Sequence, residues 1–593
     1  MRLDPTTIRQ HLASGATDSR SVLLESLRRA RASEDPAVWI HLATETEIAS
    51  EADRIEAARI AGHHLPLFGL PFAVKDNIDV AGWPTTAACP DFAHTPVADA
   101  AVVARLREAG AVAIGKTNLD QFATGLVGTR SPYGACRSVF DPDRISGGSS
   151  SGSAVALALD QVAFALGTDT AGSGRVPAAF GNLVGLKPTR GVWPTSGVVP
   201  ACASLDCVSV FTHSCHDAYA IWDIVRGPDP HDPRSRSWPT HAPAGTSPGF
   251  VFGVPDDIPY LTHPSWHPLW EQAIRRLEDL GGRRVAIDFT PWAETAALLY
   301  EGPWVGERWA AVGDFADASP GSVFPTTLRI LEGGRKRLAS ELFRAQDRLE
   351  ALRSAVDRQL RGIDVVVLPT AGIHPTLAEV AADPFGPNAH LGRGTNFCNL
   401  LDLSALALPA GFDPAGLPFG ITLFAPAFHD LALLGLGARF QADQNLSTGL
   451  LGPTPPASPL DIPSPVPRVV VAVAGLHMDG LPLNHELRER GGRLERTTRT
   501  SSSYRAFRIV RGDRRLPGLL RTGDGAPFEI ELWSLPPDGA GSFLASCVRP
   551  PLCLGTLELE DGSTCMGFLA ESHGVQGMED ITSYGGWRAA CVH

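Results

Sequence analysis

Apolar residues recur at two different spacings along the first 450 residues of the chain. In "SRSVLLESLRRARA", residues 19–32, they stand three or four positions apart, which predicts an amphipathic helix. Elsewhere they form short continuous runs, which predict buried strands; these runs are "LPFAVKDNI", "AVAIGKTN", "VAFALGTDT", "VFGVPDD", "DVVVLPTA" and "SALALPAGF". Because helical and strand patterns alternate, we expect an α/β architecture in which helices cover a sheet.

A proline-rich segment interrupts this alternation. The stretch "GPTPPASPLDIPSPVP", residues 452–467, holds seven prolines and no regular apolar period, which is typical of an extended linker. The run "RVVVAVAGL" that follows predicts a strand, as do "FEIELWSLP", "LGTLELEDG" and "TCMGFLAE". We therefore expect one domain over residues 1–450, a linker over 451–467, and a small α+β domain over 468–593.

Composition and charge narrow the classes of function. A chain of 593 residues is too long for one hydrophobic core. Its net charge of −13 disfavours binding to nucleic acid or to anionic membranes. The 10 cysteines include no C-x-x-C pair, so we expect reduced thiols and no metal site. No apolar run reaches transmembrane length, and the N-terminal segment lacks the apolar core of a signal peptide. A cytoplasmic protein is expected.

The stretch "GAVAIGKTN", residues 110–118, fits the phosphate-loop pattern G-x-x-x-x-G-K-[ST]. A phosphate loop follows a strand and opens a helix, so that its amides surround the anion. Here a helical pattern precedes Gly110, and the four apolar residues after it predict a buried strand. The order of elements therefore disfavours a nucleotide-binding switch at Gly110–Thr117, which remains an alternative.

The densest chemical signal is "ISGGSSSGSAVALALDQVAFALGTDTAGSGRVPAAFG", residues 145–181. Two Gly/Ser loops flank a small-residue helix and a strand, which can bring Ser149 and Ser173 side by side. Exposed amides beside a serine can form an oxyanion hole for acyl transfer. The stretch "GSSSG" also fits the nucleophile elbow G-x-S-x-G, with Ser150 as the nucleophile, but a loop precedes it where that motif needs a strand.

A serine nucleophile needs a base, and no histidine stands near these loops in the sequence. The other common base is a lysine kept neutral by burial. Lys75 directly follows the apolar run Leu70–Val74, which predicts that its side chain ends in the interior.

These motifs together resemble the amidase signature family. The match consists of "VKDN" with Lys75, "GGSSSGSA" with Ser149 and "GTDTAGSGRVPA" with Ser173, and it extends over roughly residues 20–445. "GKTNLDQFATG", which ends at Gly125, also resembles the family's substrate-lining segment. The resemblance implies an α/β amidase-signature fold with a mixed sheet core covered by helices.

The resemblance also implies a Ser-cisSer-Lys triad without any cofactor. Ser173 would attack the amide carbonyl, Ser149 would relay its proton, and Lys75 would accept it. The backbone amides of Thr170, Ala171, Gly172 and Ser173 would hold the oxyanion. This chain differs from the family pattern by having Ser151 and Ala171 where glycine is more usual, and neither change removes a catalytic atom.

Within that family the chain resembles the allophanate hydrolases. The features are "GTDTAGSGRVPA", "LLYEGPWVGERWAAVGDF" and the C-terminal stretch "VAGLHMDGLPLNHELRERGGRL". Allophanate is a small anion, so a cation must bind its carboxylate; Arg308 offers a bidentate fork, and Tyr300 would add its hydroxyl if both residues face the same way. Arg175, beside the nucleophile, is a second candidate that we expect to be a structural strut.

The C-terminal domain resembles the allophanate hydrolase C-terminal domain, which implies a fold akin to γ-glutamylcyclotransferase and a part in decarboxylation. His477 and His485 are the candidates for moving a proton there, and His477 is favoured because it follows a predicted strand. The resemblance further implies a homodimer and a functional link to a biotin-dependent urea carboxylase. The alternatives are a general small-amide amidase, a non-catalytic binding protein and an amidotransferase subunit.

Overall fold

The computed structural model describes residues 1–239, 242, 249–443, 447–451, 460, 468–511 and 514–591. Apart from the short segment 240–244, the chain divides into two compact units, the first within residues 1–462 and the second within residues 463–593. The predicted linker, 451–467, lies outside the described residues except for Leu451 and Leu460. The linker therefore stays a prediction.

The described part of the first unit contains an eleven-stranded mixed sheet with the order β1-β3-β2-β4-β6-β5-β10-β11-β9-β7-β8. Its strands are β1 (Trp39–Leu42), β2 (Pro71–Lys75), β3 (Val112–Thr117), β4 (Phe164–Asp169), β5 (Val184–Lys187), β6 (Cys207–Thr212), β7 (Phe250–Pro255), β8 (Gly282–Ile287), β9 (Val365–Pro369), β10 (Leu403–Phe412) and β11 (Pro418–Pro426). The predicted apolar runs all fall on these strands. Most of the strands are buried throughout, which explains why they appear as continuous apolar runs rather than as an alternation.

Helices of the first unit precede, separate and follow these strands. They are α1 (Pro5–Ser14), α2 (Ser19–Arg31), α3 (Glu45–Ile60), α4 (Ala101–Glu108), α5 (Ser151–Ala158), α6 (Val176–Phe180), α7 (Cys215–Val225), α8 (His267–Asp279), α9 (Thr290–Glu301), α10 (Val305–Ala318), α11 (Pro325–Arg335), α12 (Ala339–Leu360), α13 (Leu377–Ala382), α14 (Gly386–Gly392), α15 (Phe397–Leu400) and α16 (Asp430–Ala442). The predicted helix over residues 19–32 is confirmed as α2, which Asp18 caps by accepting a hydrogen bond from the Ser21 amide.

Three neighbouring elements position the site. Strands β2 and β4 are adjacent and parallel, so their carboxyl ends lie at the same edge of the sheet. Helix α5 directly precedes β4 in the chain, packs against both strands and is buried along its whole length. Its serine, glycine and alanine side chains are small enough to allow this close packing against the sheet.

The second unit is described by a five-stranded sheet, β13-β16-β12-β18-β17, and a three-stranded sheet, β15-β14-β19. The strands are β12 (Val469–Val473), β13 (Arg493–Arg499), β14 (Tyr504–Arg511), β15 (Arg514–Arg521), β16 (Glu529–Leu535), β17 (Leu552–Glu558), β18 (Thr564–Ala570) and β19 (Glu579–Asp580). The helices are α17 (Asn484–Arg488), α18 (Pro537–Cys547) and α19 (Trp587–Ala590). The strand-rich α+β character predicted for this unit is confirmed.

Within the described ranges, every helix is too short or too polar to cross a bilayer.

Candidate active site

Lys75 is the last residue of β2, and its side chain is fully buried. Its Nζ donates hydrogen bonds to Ser149 Oγ (2.8 Å) and to Thr168 Oγ1 (2.7 Å). The structure therefore brings Lys75 and Ser149 together, as the sequence analysis expects. Thr168 was missed; the only signal for it was its place in "GTDTAGSG", five residues before Ser173.

The electrostatic surroundings of Lys75 favour its neutral form. Burial lowers the pKa of Lys75 to about 7, while the carboxylates of Asp120, Asp169 and Asp206 oppose this decrease and the guanidinium of Arg308 adds to it. Removing an ammonium group from water disfavours the charge that the group carries. Near neutral pH much of this amine is therefore unprotonated and can accept a proton.

Ser149 lies in the loop before α5, and the peptide bond between Gly148 and Ser149 is cis. A Cβ on Gly148 would lie 2.2 Å from Asp120 Oδ2 and 2.5 Å from the Gly128 amide nitrogen, so only glycine fits there. The Asp120 amide donates to the Ser149 carbonyl (3.1 Å), and its carboxylate accepts from the amides of Gly128 (3.0 Å) and Arg130 (2.9 Å). The buried Asp120 thus fixes the loop that carries Ser149.

A buried ion pair holds the loop that carries Ser173. Asp169 accepts two hydrogen bonds from the Arg175 guanidinium, both 2.9 Å long, and two more from the amides of Gly172 (2.9 Å) and Gly174 (2.9 Å). Both charged side chains are fully buried. With its charge neutralised by Asp169, Arg175 is the structural strut that the sequence analysis expects, and it is not free to bind an anion.

The four amides proposed as oxyanion donors differ in their hydrogen bonding. The Gly172 amide already donates to Asp169, which corrects the expectation that it is free to hold an oxyanion. Among the described residues, the amides of Thr170, Ala171 and Ser173 have no hydrogen-bond partner. The Ser173 side chain is buried, and within the same part of the chain no hydrogen bond joins its hydroxyl to Ser149.

Arg308 and Tyr300 meet, although a break at Gly302 separates α9 from α10. Arg308 is 1% exposed; it donates to Tyr300 Oη (3.2 Å) and to Thr124 Oγ1 (3.0 Å). Its guanidinium also lies 5.2 Å from the centre of the Tyr300 ring. Its Nε has no partner, and no carboxylate of the described residues forms an ion pair with it. A buried cation that forms no ion pair with a carboxylate favours an anionic ligand.

Arg130 is a second buried cation that the sequence analysis missed. It donates to the Thr124 carbonyl (2.9 Å) and to the Pro384 carbonyl (2.7 Å), and its Nε has no partner. Arg130 and Tyr300 line the same cavity of about 700 Å³. Three further arginines line this cavity, Arg329, Arg337 and Arg393. Glu301 also lines it, Arg337 forms an ion pair with Glu341 (3.7 Å), and the lining does not include Lys75, Ser149, Ser173 or Arg308. The cavity therefore meets the site only through Arg130 and Tyr300, and its cations attract anions toward that side.

Gly125 lies within the same buried segment as Thr124. A Cβ on Gly125 would lie 2.6 Å from Asp120 Oδ2, and the next amide, that of Leu126, donates to Asn388 Oδ1 (2.8 Å). Gly125 directly follows Thr124, whose hydroxyl accepts a hydrogen bond from Arg308, and its substrate-lining role stays a prediction. The missing side chain also leaves room for Asp120.

Two alternatives from the sequence find no support in the geometry. Ser150 is buried, and its hydroxyl donates to the Thr168 carbonyl (3.1 Å), which leaves it without a base. Lys116 of the apparent phosphate loop is fully buried at the end of a strand and forms an ion pair with Asp76 (2.9 Å). A phosphate-binding lysine must instead be open to the anion.

The second unit places His477 in a different kind of environment. The His477 side chain is 18% exposed, and its Nε2 lies 3.3 Å from Glu486 Oε2 and 3.7 Å from Cys547 Sγ. Burial lowers the pKa of His477, against the opposing effect of Glu486. His485 lies apart, exposed, with its Nδ1 3.0 Å from the Pro482 carbonyl. Neither Glu486 nor Cys547 carried a recognisable signal in the sequence.

Comparison with known families gives two matches. The family model described as Amidase matches residues 21–434. The model described as Allophanate hydrolase C-terminal domain matches residues 469–592. These ranges correspond to the two units of the structure.

Individual relatives agree with this division. The chain is similar to a solved allophanate hydrolase of Kluyveromyces lactis, with 40% identity, 99% of both chains covered and a TM-score of 0.76. It is also 42% identical to the urea amidolyase of Lachancea kluyveri over 98% of its own length but only 32% of that protein. A glutamyl-tRNA(Gln) amidotransferase subunit of Symbiobacterium thermophilum is 34% identical, with 69% of this chain and 90% of the relative covered. The chain thus spans about a third of the length of the urea amidolyases that it matches.

Proposed function

Because this chain belongs to the amidase family, we propose that it hydrolyses the terminal amide of allophanate to ammonia and N-carboxycarbamate. The observation that carries this proposal is Arg308, a fully buried guanidinium hydrogen-bonded to Tyr300 and to Thr124 and without a paired carboxylate among the described residues. Asp206 and Glu307 stabilise this charge from a distance without forming an ion pair with it; a neutral amide would add nothing to this, whereas the carboxylate of allophanate would pair with the guanidinium directly.

The second unit supports the choice of substrate. The similarity to the Kluyveromyces lactis allophanate hydrolase covers both units, whereas the similarity to the amidotransferase subunit covers only 69% of the chain. The second unit, which matches the allophanate hydrolase C-terminal domain, distinguishes this chain from an amidase that consists only of a domain like the first unit. This favours allophanate over a simple amide and over glutamine.

In the proposed mechanism, the neutral Lys75 starts the reaction. It takes the proton of the Ser149 hydroxyl, to which it is hydrogen-bonded (2.8 Å), while Ser149 takes the proton of Ser173. The Ser173 oxygen attacks the amide carbonyl, and the free amides of Thr170 and Ala171, together with that of Ser173 itself, stabilise the oxyanion. No imidazole takes part in this step.

The tetrahedral intermediate then collapses. The proton held by Lys75 passes back through Ser149 to the leaving nitrogen, so that ammonia departs and an acyl-enzyme on Ser173 remains. Water, activated through the same relay, hydrolyses this ester and releases N-carboxycarbamate. Arg308 and Tyr300 hold the carboxylate throughout, which keeps the carbonyl in line with Ser173.

N-carboxycarbamate must still lose carbon dioxide, and we assign assistance with this step to the second unit. Replacement of a carboxylate by hydrogen requires a proton, and we assign its delivery to His477, a ring that burial keeps mainly neutral and that must first take up this proton. The kinship of this unit to γ-glutamylcyclotransferase remains a prediction. So do a homodimeric assembly and action downstream of a biotin-dependent urea carboxylase; relatives named urea amidolyase, about three times as long as this chain, support the latter.

Product analysis tests the proposed function. Purified chain is incubated with allophanate, with a simple neutral amide and with glutamine, and ammonia and carbon dioxide are measured. We expect rapid ammonia release from allophanate alone. Release from the neutral amide but not from allophanate would replace the proposal by a general amidase, and release from glutamine would favour an amidotransferase subunit.

A further inference from the structure

Three donor atoms of the second unit converge at one point. His477 follows β12, Glu486 lies on α17, and Cys547 is the last residue of α18. Nε2 of the histidine, Oε2 of the glutamate and Sγ of the cysteine form a closed triangle with sides of 3.3, 3.4 and 3.7 Å. In the part of the chain that the structure describes, no other group of three such residues brings its donor atoms so close together.

The sides of this triangle match the edges of a metal tetrahedron. With bonds of about 2.0 Å to oxygen, about 2.05 Å to nitrogen and about 2.3 Å to sulfur, the ligands of tetrahedral Zn²⁺ stand about 3.3 to 3.6 Å apart. The observed separations are 3.3 Å between nitrogen and oxygen, 3.4 Å between sulfur and oxygen, and 3.7 Å between sulfur and nitrogen. The three side chains therefore already stand where the ion would require them.

The same geometry disfavours a proton relay with a cysteine nucleophile. In such a relay the carboxylate holds one ring nitrogen of the histidine and the nucleophile uses the other. Here Glu486 and Cys547 both face Nε2 of His477, and Glu486 Oε2 also contacts the sulfur directly. The nitrogen, oxygen and sulfur atoms all face one another and therefore surround a common centre. A proton relay does not require such a centre.

We propose that His477, Glu486 and Cys547 bind one Zn²⁺ ion, with a water molecule in the fourth position. A cysteine and a histidine select zinc over magnesium or calcium. Three protein ligands with one open position are typical of zinc sites that react with or bind a further ligand. The cysteine spacing led us to expect no metal site. The proposed site differs from that expectation because its ligands come from three separate elements rather than from a C-x-x-C pair.

The charges of the three side chains and their access to solvent are consistent with a bound Zn²⁺ ion. Binding displaces the thiol proton of Cys547 into solvent, so that one thiolate and one carboxylate balance the two charges of Zn²⁺. The His477 and Glu486 side chains are 18% and 28% exposed, which gives the ion a path from solvent. Asn484 donates to the His477 carbonyl (2.8 Å), and the His477 ring packs edge-on against Phe543 (5.0 Å). These contacts hold the histidine in place.

Occupancy would change what His477 can do. When Nε2 binds zinc, it no longer delivers the proton that the decarboxylation step above assigns to His477, and the zinc-bound water becomes the acidic group that takes over this role. Zinc binding itself does not depend on the proposed hydrolysis of allophanate, because it needs no substrate. The two proposals can therefore fail separately.

Direct metal binding tests the site. The full chain is stripped with a chelator, titrated with ZnCl₂ and, separately, with CoCl₂. We expect one tightly bound ion per chain, release of one proton, and a thiolate-to-cobalt charge-transfer band. Cys547→Ser and the isosteric Glu486→Gln should each weaken zinc binding by at least about 100-fold, since even residues behind the ligands alter affinity by 10- to 100-fold.

Two variants of the same unit are the matched controls. Cys553→Ser removes another partly exposed thiol and His485→Ala another histidine; both should bind zinc as the unaltered chain does. Absence of the cobalt–thiolate band, or equal zinc affinity in Cys547→Ser and Cys553→Ser, would overturn the proposal.

Discussion

The two units hold their reactive groups in opposite ways. In the first unit Lys75, Ser149 and Ser173 are buried, at the end of β2, in the loop before α5 and in the loop after β4, and buried ion pairs and amides fix these loops. In the second unit His477 and Glu486 are partly exposed, and they stand on a loop and a short helix. Burial lowers the pKa of both Lys75 and His477, but only the second arrangement leaves its donors partly open to an incoming ion.

The contrast shows that burial decides whether the fold alone or a bound ligand completes the chemistry of a site. A buried amine loses its charge because it has lost water, and no ligand is needed to make it a base. A partly exposed cluster keeps much of its hydration, so its chemistry is completed by whatever binds it. Substitutions in the first unit should therefore change activity or folding, and those at His477, Glu486 and Cys547 should change metal binding.

The largest expected effect is that of Ser173→Ala. Removing the proposed nucleophile should lower kcat for ammonia release from allophanate by at least about 10⁴-fold, because a serine nucleophile acts as a unit with its relay. Initial rates of ammonia release measure it. Ser150→Ala is the matched control and should retain activity within about tenfold, since that hydroxyl only contacts the Thr168 backbone. A larger loss of activity in Ser150→Ala than in Ser173→Ala would instead support Ser150 as the nucleophile of a G-x-S-x-G elbow.

The next effect concerns stability. Asp169→Asn keeps the shape of the side chain but leaves Arg175 buried without its counter-charge, which should lower the free energy of unfolding by about 3–5 kcal/mol. Urea denaturation of the first unit, followed by tryptophan fluorescence, measures the change. Asp317→Asn, which removes the exposed partner of Arg335 (2.7 Å), should cost less than about 1 kcal/mol. Equal costs for the two variants would contradict a structural role for the buried pair.

A smaller effect is expected at the anion site. Arg308→Gln should lower kcat/KM for allophanate by about 10- to 100-fold, mainly through a higher KM, because a charge-assisted hydrogen bond contributes about 1.5–3 kcal/mol. The control Arg335→Gln alters an exposed arginine and should leave kcat/KM unchanged. An unchanged KM in Arg308→Gln would remove this residue from substrate binding.

The smallest effect follows from the pKa of Lys75. Because burial lowers that pKa to about 7, the reactive neutral amine predominates above pH 7 and is lost below it. The rate constant kcat/KM should therefore fall about tenfold for each pH unit below about pH 7 and level off above it. A profile of ammonia release against pH checks this. A flat profile between about pH 6 and pH 8 would mean that Lys75 is not the titrating base.

Much of the fold could be predicted from the sequence because the signals are local. The apolar runs predict the strands that the structure contains, and a helical pattern predicts α2. Three motifs in the right order also predicted Lys75, Ser149 and Ser173, since each motif needs only its own neighbours to be recognised. The apparent phosphate loop was set aside on the order of its elements, and the ion pair between Lys116 and Asp76 supports that decision.

Contacts between distant segments could not be predicted in this way. Arg130 was missed because nothing near it in the sequence marks it, and Thr168 because its motif does not reveal that it contacts Lys75 across 93 positions. Glu486 and Cys547 were missed because they meet His477 only in the folded unit, the cysteine across 70 positions. The Gly172 amide was misjudged for a local reason, since its partner Asp169 stands only three positions away and the turn of the loop decides which amides donate to it.

The sequence by itself determined which reactive groups the chain contains and in what order, because motif and apolar pattern are properties of neighbouring residues. Only the tertiary structure decided their chemical state. It removed water from Lys75, left Arg308 without a carboxylate partner among the described residues, and gathered three donor atoms around one point in the second unit. The physical reason is that solvation and charge pairing depend on distance in space, which the linear order of residues does not contain.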